Sequence, residues 1–178
     1  SLDVLHRLRD EWEVTAIAAR SRCDELARQA NQFRPGAVAI ADGFRESDLS
    51  CKLEYRPRIF AGDSALLDLV TSVPCDCVIV AVVGADALAA TLRAVEMGRR
   101  IALANKEAIV LAGSLLVPLA RRSGAQIIPV DSEHSAIFQS MHAGRAVDVR
   151  KVHLTASGGP FRTWSREQIE SATLEQAI

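Results

Sequence analysis

Short apolar runs alternate with amphipathic stretches along most of the chain. Apolar runs bounded by turn residues predict strands, and apolar residues that recur every three or four positions predict helices. Strands are predicted at residues 13–19, 37–40, 58–60, 77–83, 100–103 and 126–129. Helices are predicted at the start of the chain and at residues 23–33, 47–53, 64–70, 86–97, 107–122 and 135–141. This alternation predicts an α/β fold with a doubly wound parallel sheet of the nucleotide-binding type.

The longest apolar run, at residues 77–83, predicts the central strand of that sheet. It is apolar on both faces, as a strand covered by helices on both sides requires. Gly84 then allows a tight turn into the next helix. The run is too short to cross a bilayer, and no signal segment opens the chain. We therefore expect a cytoplasmic protein with no membrane partner.

The pattern changes near residue 130. A further strand is predicted at 151–155 and a glycine turn at 157–160. Capping boxes, in which a hydroxyl and an amide side chain three residues apart close a helix start, are predicted for Ser165 with Gln168 and Thr173 with Gln176. We predict a Rossmann-like domain at residues 1–129 and the beginning of an α+β catalytic domain at 130–178.

Composition narrows the class of partner. The chain has 178 residues, of which 49% are hydrophobic, so it can bury one ordinary core. Its 21 basic and 22 acidic residues give a net charge of −1 with no basic block, which argues against nucleic acid and favours a small molecule. The four cysteines have no metal-binding spacing, which predicts reduced structural thiols.

Arg20, Ser21 and Arg22 follow the first predicted strand. In a dinucleotide-binding fold, an acid at this position takes a ribose hydroxyl group, whereas arginines accommodate a 2′-phosphate. This turn therefore favours NADPH over NADH. A solvated helix N-terminus explains the same residues equally well, and the strand and glycine-rich turn that normally open such a fold are absent.

Asn105, Lys106 and Glu107 lie where a predicted strand gives way to a helix. Ligands of open α/β sheets bind outside the carboxyl ends of the strands, so a substrate or nicotinamide could lie here. Lys106 is one of three lysines in the chain, which favours a need for a compact ammonium group. The alternative is a surface lysine beside a glutamate that complements the helix dipole.

Asp131 and Glu133 are two positions apart, so in an extended segment their carboxylates point to the same side. Carboxylates that converge in this way suit a hard divalent ion such as Mg²⁺ or Mn²⁺. The alternative is that Asp131 or Ser132 caps the following helix while Glu133 complements its dipole. Ser157, in a Ser-Gly-Gly turn, offers a hydroxyl and free amides to a phosphate, although a plain tight turn explains it too.

Three motifs in order carry a family resemblance. They are Leu-Ala-Asn-Lys-Glu at 103–107, Pro-Val-Asp-Ser-Glu-His at 129–134 and Ser-Gly-Gly-Pro-Phe-Arg at 157–162. Together they resemble 1-deoxy-D-xylulose 5-phosphate reductoisomerase, an NADPH-dependent and divalent-metal-dependent enzyme of non-mevalonate isoprenoid biosynthesis. The resemblance implies rearrangement of a phosphorylated ketose, 1-deoxy-D-xylulose 5-phosphate, and its reduction to 2-C-methyl-D-erythritol 4-phosphate.

The resemblance also implies roles for individual residues. Asp131 and Glu133 would bind the metal, and Lys106 and Glu133 would act in catalysis. Substrate contacts would come from Lys106, Ser132, Glu133 and Ser157, with Ser157 on the phosphate. Contacts to NADPH would come from Arg20, Ser21, Arg22, Asn105 and Glu107.

The chain departs from the family pattern in several parts. A first strand with its glycine-rich turn, a third carboxylate ligand, a flexible lid and the C-terminal helical region are missing from these residues. We expect a portion of a longer gene product that alone neither turns over substrate nor binds NADPH tightly. It would be homodimeric when full length, and two strand edges would be exposed here. Alternatives are another NADPH-dependent dehydrogenase or a non-catalytic domain derived from one.

Overall fold

The computed structural model of the chain describes residues 1–82, 84–154 and 159–177. Within it the chain forms two compact units, Ser1–Asp131 and Ser132–Ile178. The first unit contains both sheets and all three apolar clusters that the structure shows among these residues.

The first sheet has three parallel strands in the order β1-β2-β3. They are β1 (Ala16–Ala19), β2 (Ala37–Ile40) and β3 (Arg58–Ala61). Ala19 pairs with Ile40, and Ile40 pairs with Ala61, so the three carboxyl ends are level. All four residues of β2 are buried, because β2 has a strand on each side and a helix layer on each face.

The second sheet also has three parallel strands, in the order β4-β5-β6. They are β4 (Cys77–Val80), β5 (Arg100–Leu103) and β6 (Gln126–Pro129). Val80 pairs with Leu103, and Leu103 pairs with Pro129. The chain segments that leave β5 and β6, which carry the candidate lysine and carboxylates, therefore leave from one edge of this sheet.

The described residues of the first unit form six α-helices. They are α1 (Leu2–Arg7), α2 (Cys23–Phe33), α3 (Glu46–Lys52), α4 (Ala65–Ser72), α5 (Leu88–Glu96) and α6 (Lys106–Ser123). Helix α2 buries Cys23, Leu26, Ala27 and Ala30, the spacing of a single helix face.

The first sheet is covered on both faces. Val38 and Ile40 pack in one cluster with α2, and the alternate residues Ala37 and Ala39 pack in another with α4. Because neighbouring residues of a strand point to opposite faces, α2 and α4 lie on opposite sides. The doubly wound α/β fold predicted from the sequence is thus confirmed.

The second sheet is covered differently. Val80, Ile101 and Leu103 form a buried cluster with residues of α5 and α6. Ile79, whose side chain points to the other face of β4, is 41% exposed. The sequence prediction of a central strand at 77–83 is therefore wrong in two respects, because β4 ends at Val80 and pairs with β5 alone among the described strands.

The two strand edges expected to be exposed are present. Among the described residues, β1 pairs only with β2, and β4 pairs only with β5. Contact between α4 and α5 joins the halves of the unit, since Ala90 of α5 packs in the cluster formed by α4 and β2.

Glycine is required where α5 ends. Gly98 has a φ of +72°, and a Cβ atom there would lie 2.9 Å from the carbonyl oxygen of Ser123 at the end of α6. The chain between α5 and β5 thereby passes close to the end of the next helix.

The second unit contains α7 (Ser132–His142), α8 (Arg166–Glu170), α9 (Leu174–Ala177) and two short 3₁₀ turns, Ala146–Asp148 and Gly159–Phe161. The strand predicted at 151–155 is wrong for residues 151–154, which form no strand. Both predicted capping boxes are confirmed, because Ser165 and Gln168 bond reciprocally and Thr173 and Gln176 do the same.

Across 1–82, 84–154 and 159–177, no helix combines the length and the apolar character needed to cross a membrane.

Candidate functional site

The turn after β1 presents Arg20, Ser21 and Arg22 to solvent at the carboxyl end of the first sheet. Nε of Arg20 lies 3.0 Å from Oδ2 of Asp86, which precedes α5. The Arg20 side chain is 71% exposed, so this ion pair contributes at most about 1 kcal/mol. The pair nevertheless joins the carboxyl ends of the two sheets.

The turn after β2 is held directly beside the arginine turn. The amide of Ala41 donates to the carbonyl of Ala19 over 3.1 Å, and the amide of Asp42 donates to the carbonyl of Arg20 over 2.8 Å. Two loops from neighbouring strands are therefore hydrogen-bonded to each other at the sheet edge, where ligands of this fold class bind.

Asn105 connects the loops that follow β4 and β5. Its Oδ1 accepts the amide of Ala108 over 2.9 Å and caps α6, while Nδ2 donates to the carbonyls of Val82 and, over 2.8 Å, Gly84. The residue is 4% exposed. Both amide hydrogens are used within the protein, so only the remaining lone pair of Oδ1 and the backbone can contact a cofactor.

Lys106 and Glu107 are the first two residues of α6, and both are exposed. Glu107 complements the positive end of the helix dipole, as the structural alternative for this motif expects. Lys106 places a cation at that same positive end, which costs about 0.3–1 kcal/mol. Helix stability thus explains Glu107 and does not explain Lys106, so the ammonium group is the better candidate for a functional role.

The acidic motif lies across the boundary between the units. Asp131 is the last residue of the first unit, and Ser132 and Glu133 begin α7 in the second. Oγ of Ser132 donates to Oε2 of Glu133 over 2.9 Å. Glu133 lies in the first turn of α7, the position that the helix-dipole alternative predicts. The extended conformation assumed for this segment is wrong at Ser132 and Glu133, because α7 begins three residues before the predicted helix start at residue 135. Convergence of Asp131 and Glu133 on one ion stays a prediction.

The donor set suits a hard cation, because the two side chains supply only carboxylate oxygens. In the described part of the chain, no group of three or more His, Cys, Asp or Glu residues is placed to hold a metal ion. Ser157, the predicted phosphate contact, lies outside the described residues.

Two residues at the sheet edge were not singled out from the sequence. Asp86 pairs with Arg20 from a helix start 66 positions away, and no local pattern indicates that partner. Phe44, in the turn after β2, is 100% exposed. The Asp42-Gly43 turn signal predicts a loop at this place, but the exposure of an aromatic ring follows only from the structure.

Both units resemble known proteins. The model of the family described as 1-deoxy-D-xylulose 5-phosphate reductoisomerase matches residues 1–113, and that of its C-terminal domain matches residues 127–178. The chain belongs to this family.

Reductoisomerases from two bacteria illustrate the similarity. The protein from Exiguobacterium sibiricum is 42% identical over 178 residues, which are 100% of this chain and 46% of that protein. The protein from Laribacter hongkongensis is 41% identical over 184 residues, which cover 100% of this chain and 47% of that protein. The chain therefore spans less than half the length of these reductoisomerases.

Solved reductoisomerase structures share the fold. The enzyme from Zymomonas mobilis in complex with NADPH matches with a TM-score of 0.83 and 38% identity, over 99% of this chain and 47% of that one. A reductoisomerase in complex with NADPH, fosmidomycin and magnesium matches with a TM-score of 0.79 and 34% identity, over 99% of this chain and 46% of that one. The resemblance drawn from the three motifs is thus confirmed.

Proposed function

We propose that this chain supplies the NADPH-binding unit and the beginning of the catalytic region of a reductoisomerase. The activity rearranges 1-deoxy-D-xylulose 5-phosphate and reduces the resulting aldehyde with NADPH to 2-C-methyl-D-erythritol 4-phosphate. One observation carries the proposal. Every candidate residue, from Arg20 to Ser157, lies inside the segments that the two family models match.

The cofactor contacts in this proposal come from the carboxyl edges of the two sheets. Arg20 and Arg22 would take the 2′-phosphate of NADPH as ion pairs, with Ser21 donating its hydroxyl hydrogen. The exposed guanidinium groups and the hydrogen bond between the turns after β1 and β2 support this placement. Glu107 and the backbone of Asn105 would contact the cofactor at the other sheet.

The divalent-ion ligands in this proposal are Asp131 and Glu133, with Mg²⁺ or Mn²⁺ as the ion. A bound divalent ion supplies a Lewis acid that polarises a carbonyl group and stabilises negative charge on its oxygen. Ser132 and Glu133 would orient the substrate. Ser157 would donate to its phosphate group.

Lys106 would act on the substrate as a fixed cation. Its ammonium group would stabilise negative charge that develops on a substrate oxygen during rearrangement and reduction. The position of Lys106 at the positive end of α6, which helix stability disfavours, supports this role.

A homodimeric assembly and a cytoplasmic location complete the proposal. The family resemblance supports the dimer, and the four free thiols, Cys23, Cys51, Cys75 and Cys77, suit a reducing compartment. With two candidate carboxylate ligands, these 178 residues alone should not turn over substrate. Steady NADPH oxidation by the isolated chain with the ketose phosphate and Mn²⁺ would contradict that expectation.

Isothermal titration with fosmidomycin tests the assignment. We expect the chain to bind fosmidomycin only in the presence of Mn²⁺, and Asp131→Asn to abolish the binding by removing one charged ligand. Asp148→Asn is the matched control, because Asp148 is an exposed carboxylate paired with Arg145. If fosmidomycin with Mn²⁺ gave the same heat of binding for the Asp131→Asn variant as for the unsubstituted chain, the metal assignment would be contradicted. A non-catalytic domain or a different dehydrogenase would then be favoured.

A further inference from the structure

The turn after β2 displays an aromatic ring at the edge of the proposed cofactor site. Phe44 lies in the 3₁₀ turn Gly43–Arg45, and its side chain is 100% exposed. A phenylalanine on a folded surface normally buries at least part of its ring, because burial of an aromatic side chain is strongly favourable. No helix or strand of the described chain covers this ring.

The turn that carries Phe44 is held from several directions. Asp42 accepts the Phe44 amide through Oδ1 over 3.2 Å, and its own amide donates to the carbonyl of Arg20 over 2.8 Å. Arg45 pairs with Asp42 over 3.9 Å and with Asp48 over 3.7 Å. The exposed ring therefore stands on an ordered support, so displaying it costs little further conformational entropy when a ligand binds.

Close packing on a neighbouring loop adds to this support. A Cβ atom at Gly43 would lie 3.2 Å from the Cα atom of Gly62, in the turn after β3. The turn thus fits between the loops that follow β1 and β3.

The position of the ring matches the dimensions of a nucleotide. Phe44 lies two residues after Asp42, whose amide is bonded to Arg20, and two residues span at most about 7 Å. The arginine turn and the ring therefore lie within the reach of one nucleotide, with cations for a phosphate and a flat apolar surface for a base.

We propose that Phe44 stacks on the adenine ring of the nucleotide whose 2′-phosphate is bound by the Arg20–Arg22 turn. The inference rests on the proposed NADPH site and names the residue that binds its base. An aromatic ring stacks on any base without reading its hydrogen-bonding edge, so Phe44 contributes affinity and leaves selectivity for the phosphate to the arginines.

Titration of the chain with 2′,5′-ADP, followed by amide chemical shifts at residues 20–22, tests this proposal. Phe44→Ala should weaken the binding by about 5- to 150-fold, the loss of one stacked base. Phe44→Trp should restore it, and stacking should quench the fluorescence of the new indole. Val110→Ala, which truncates an apolar side chain that is 80% exposed, is the control and should bind as the unsubstituted chain does.

Inorganic phosphate as a second probe distinguishes the possible outcomes. Stacking predicts that Phe44→Ala leaves phosphate binding at residues 20–22 unchanged. Equal affinity of Phe44→Ala and the unsubstituted chain for 2′,5′-ADP would overturn the stacking while leaving the cofactor site intact. Parallel losses for both probes would show a disturbed turn and also overturn it. Absence of even weak binding of 2′,5′-ADP to the unsubstituted chain would contradict the proposed cofactor site itself, and the stacking with it.

Discussion

The two units bury their apolar residues to very different extents. The first unit has strands and helices that pack Leu116, Ile101 and Val38 with no exposed surface. In the second, no described residue is buried, and Leu174 and Val147 are 75% and 83% exposed. Each unit contains proposed site residues, yet the first has a core of its own and the second has local helices.

The difference shows that a residue's proposed chemistry and the stability of its surroundings are separate properties. Asn105 and the arginine turn are positioned by sheets with buried cores, so their geometry follows from the fold. Ser132 and Glu133 lie on a helix without buried residues, and a hydrogen bond joins their side chains. The proposed substrate contacts of the second unit therefore depend on more than its own secondary structure.

Truncation of a core leucine should have the largest effect. Leu116→Ala removes a side chain with 0% exposure from the cluster between β5 and α6, and should cost about 2–5 kcal/mol of unfolding free energy. Leu174→Ala in the second unit should change it by less than about 0.5 kcal/mol. Urea unfolding followed by circular dichroism measures both. Similar losses would mean that the second unit has a core as well.

Asn105 should give a smaller effect that tests how the first unit holds its site. Asn105→Ala leaves buried carbonyl and amide groups unpaired and should cost about 1–3 kcal/mol. Asn105→Asp keeps the cap of α6 but sets a carboxylate against the carbonyl oxygens of Val82 and Gly84. At neutral pH this variant should therefore also be less stable than the unsubstituted chain. Thermal unfolding of both variants provides the measurement.

Asn31 is the matched control for Asn105. Asn31 is half-buried. Its Nδ2 donates to the carbonyl of Lys52, and its Oδ1 accepts the backbone amide of Glu54, each over 2.9 Å. Water can replace these partners, so Asn31→Ala should cost about 1 kcal/mol or less. An equal or larger loss for Asn31→Ala would contradict a special role for Asn105.

The smallest expected effect is a difference between the two units in how folding stability depends on acidic pH. Nζ of Lys52 lies 2.7 Å from Oδ1 of Asp24 and 2.7 Å from Oδ1 of Asp48. The hydrogen bond from Lys52 lowers the pKa of Asp48 most, and the hydrogen bond from the Cys23 thiol lowers it further. A lowered pKa stabilises the fold above the pKa of an unfolded aspartate, about 4, and the contribution is lost as the pH falls through the lower value of the folded chain.

Asp48→Asn should therefore reduce the loss of unfolding free energy, measured with urea, between about pH 5 and about pH 3. Arg145 likewise lowers the pKa of Asp148, but that pair is three residues apart in a short turn of the second unit. Asp148→Asn should leave the pH dependence of the first unit unchanged. A larger change in pH dependence for Asp148→Asn than for Asp48→Asn would show that the ion pair of the second unit stabilises the whole chain.

Local features were predictable from the sequence. Strands β2, β5 and β6 begin and end at the predicted residues, because each is a short, largely apolar run closed by turn residues. The capping boxes were predicted for the same reason, since their partners are three residues apart. The family resemblance was also carried by short motifs.

Non-local features were not predictable. Residues 151–154 alternate polar and apolar as a strand does, but a strand also needs a neighbour, which no single segment encodes. The apolar run of β4 continues beyond Val80, where its pairing stops. Asn105 meets the carbonyls of Val82 and Gly84 across 23 and 21 positions, so its supporting role became clear only in the folded chain.

The central claim is that the acids after β6 bind a divalent ion. Titration with Mn²⁺, followed by paramagnetic broadening of amide resonances, tests it most directly. We predict the strongest broadening at residues 131–134, its loss in Asp131→Asn and its persistence in Asp148→Asn. Broadening centred elsewhere, or unchanged in Asp131→Asn, would contradict the claim.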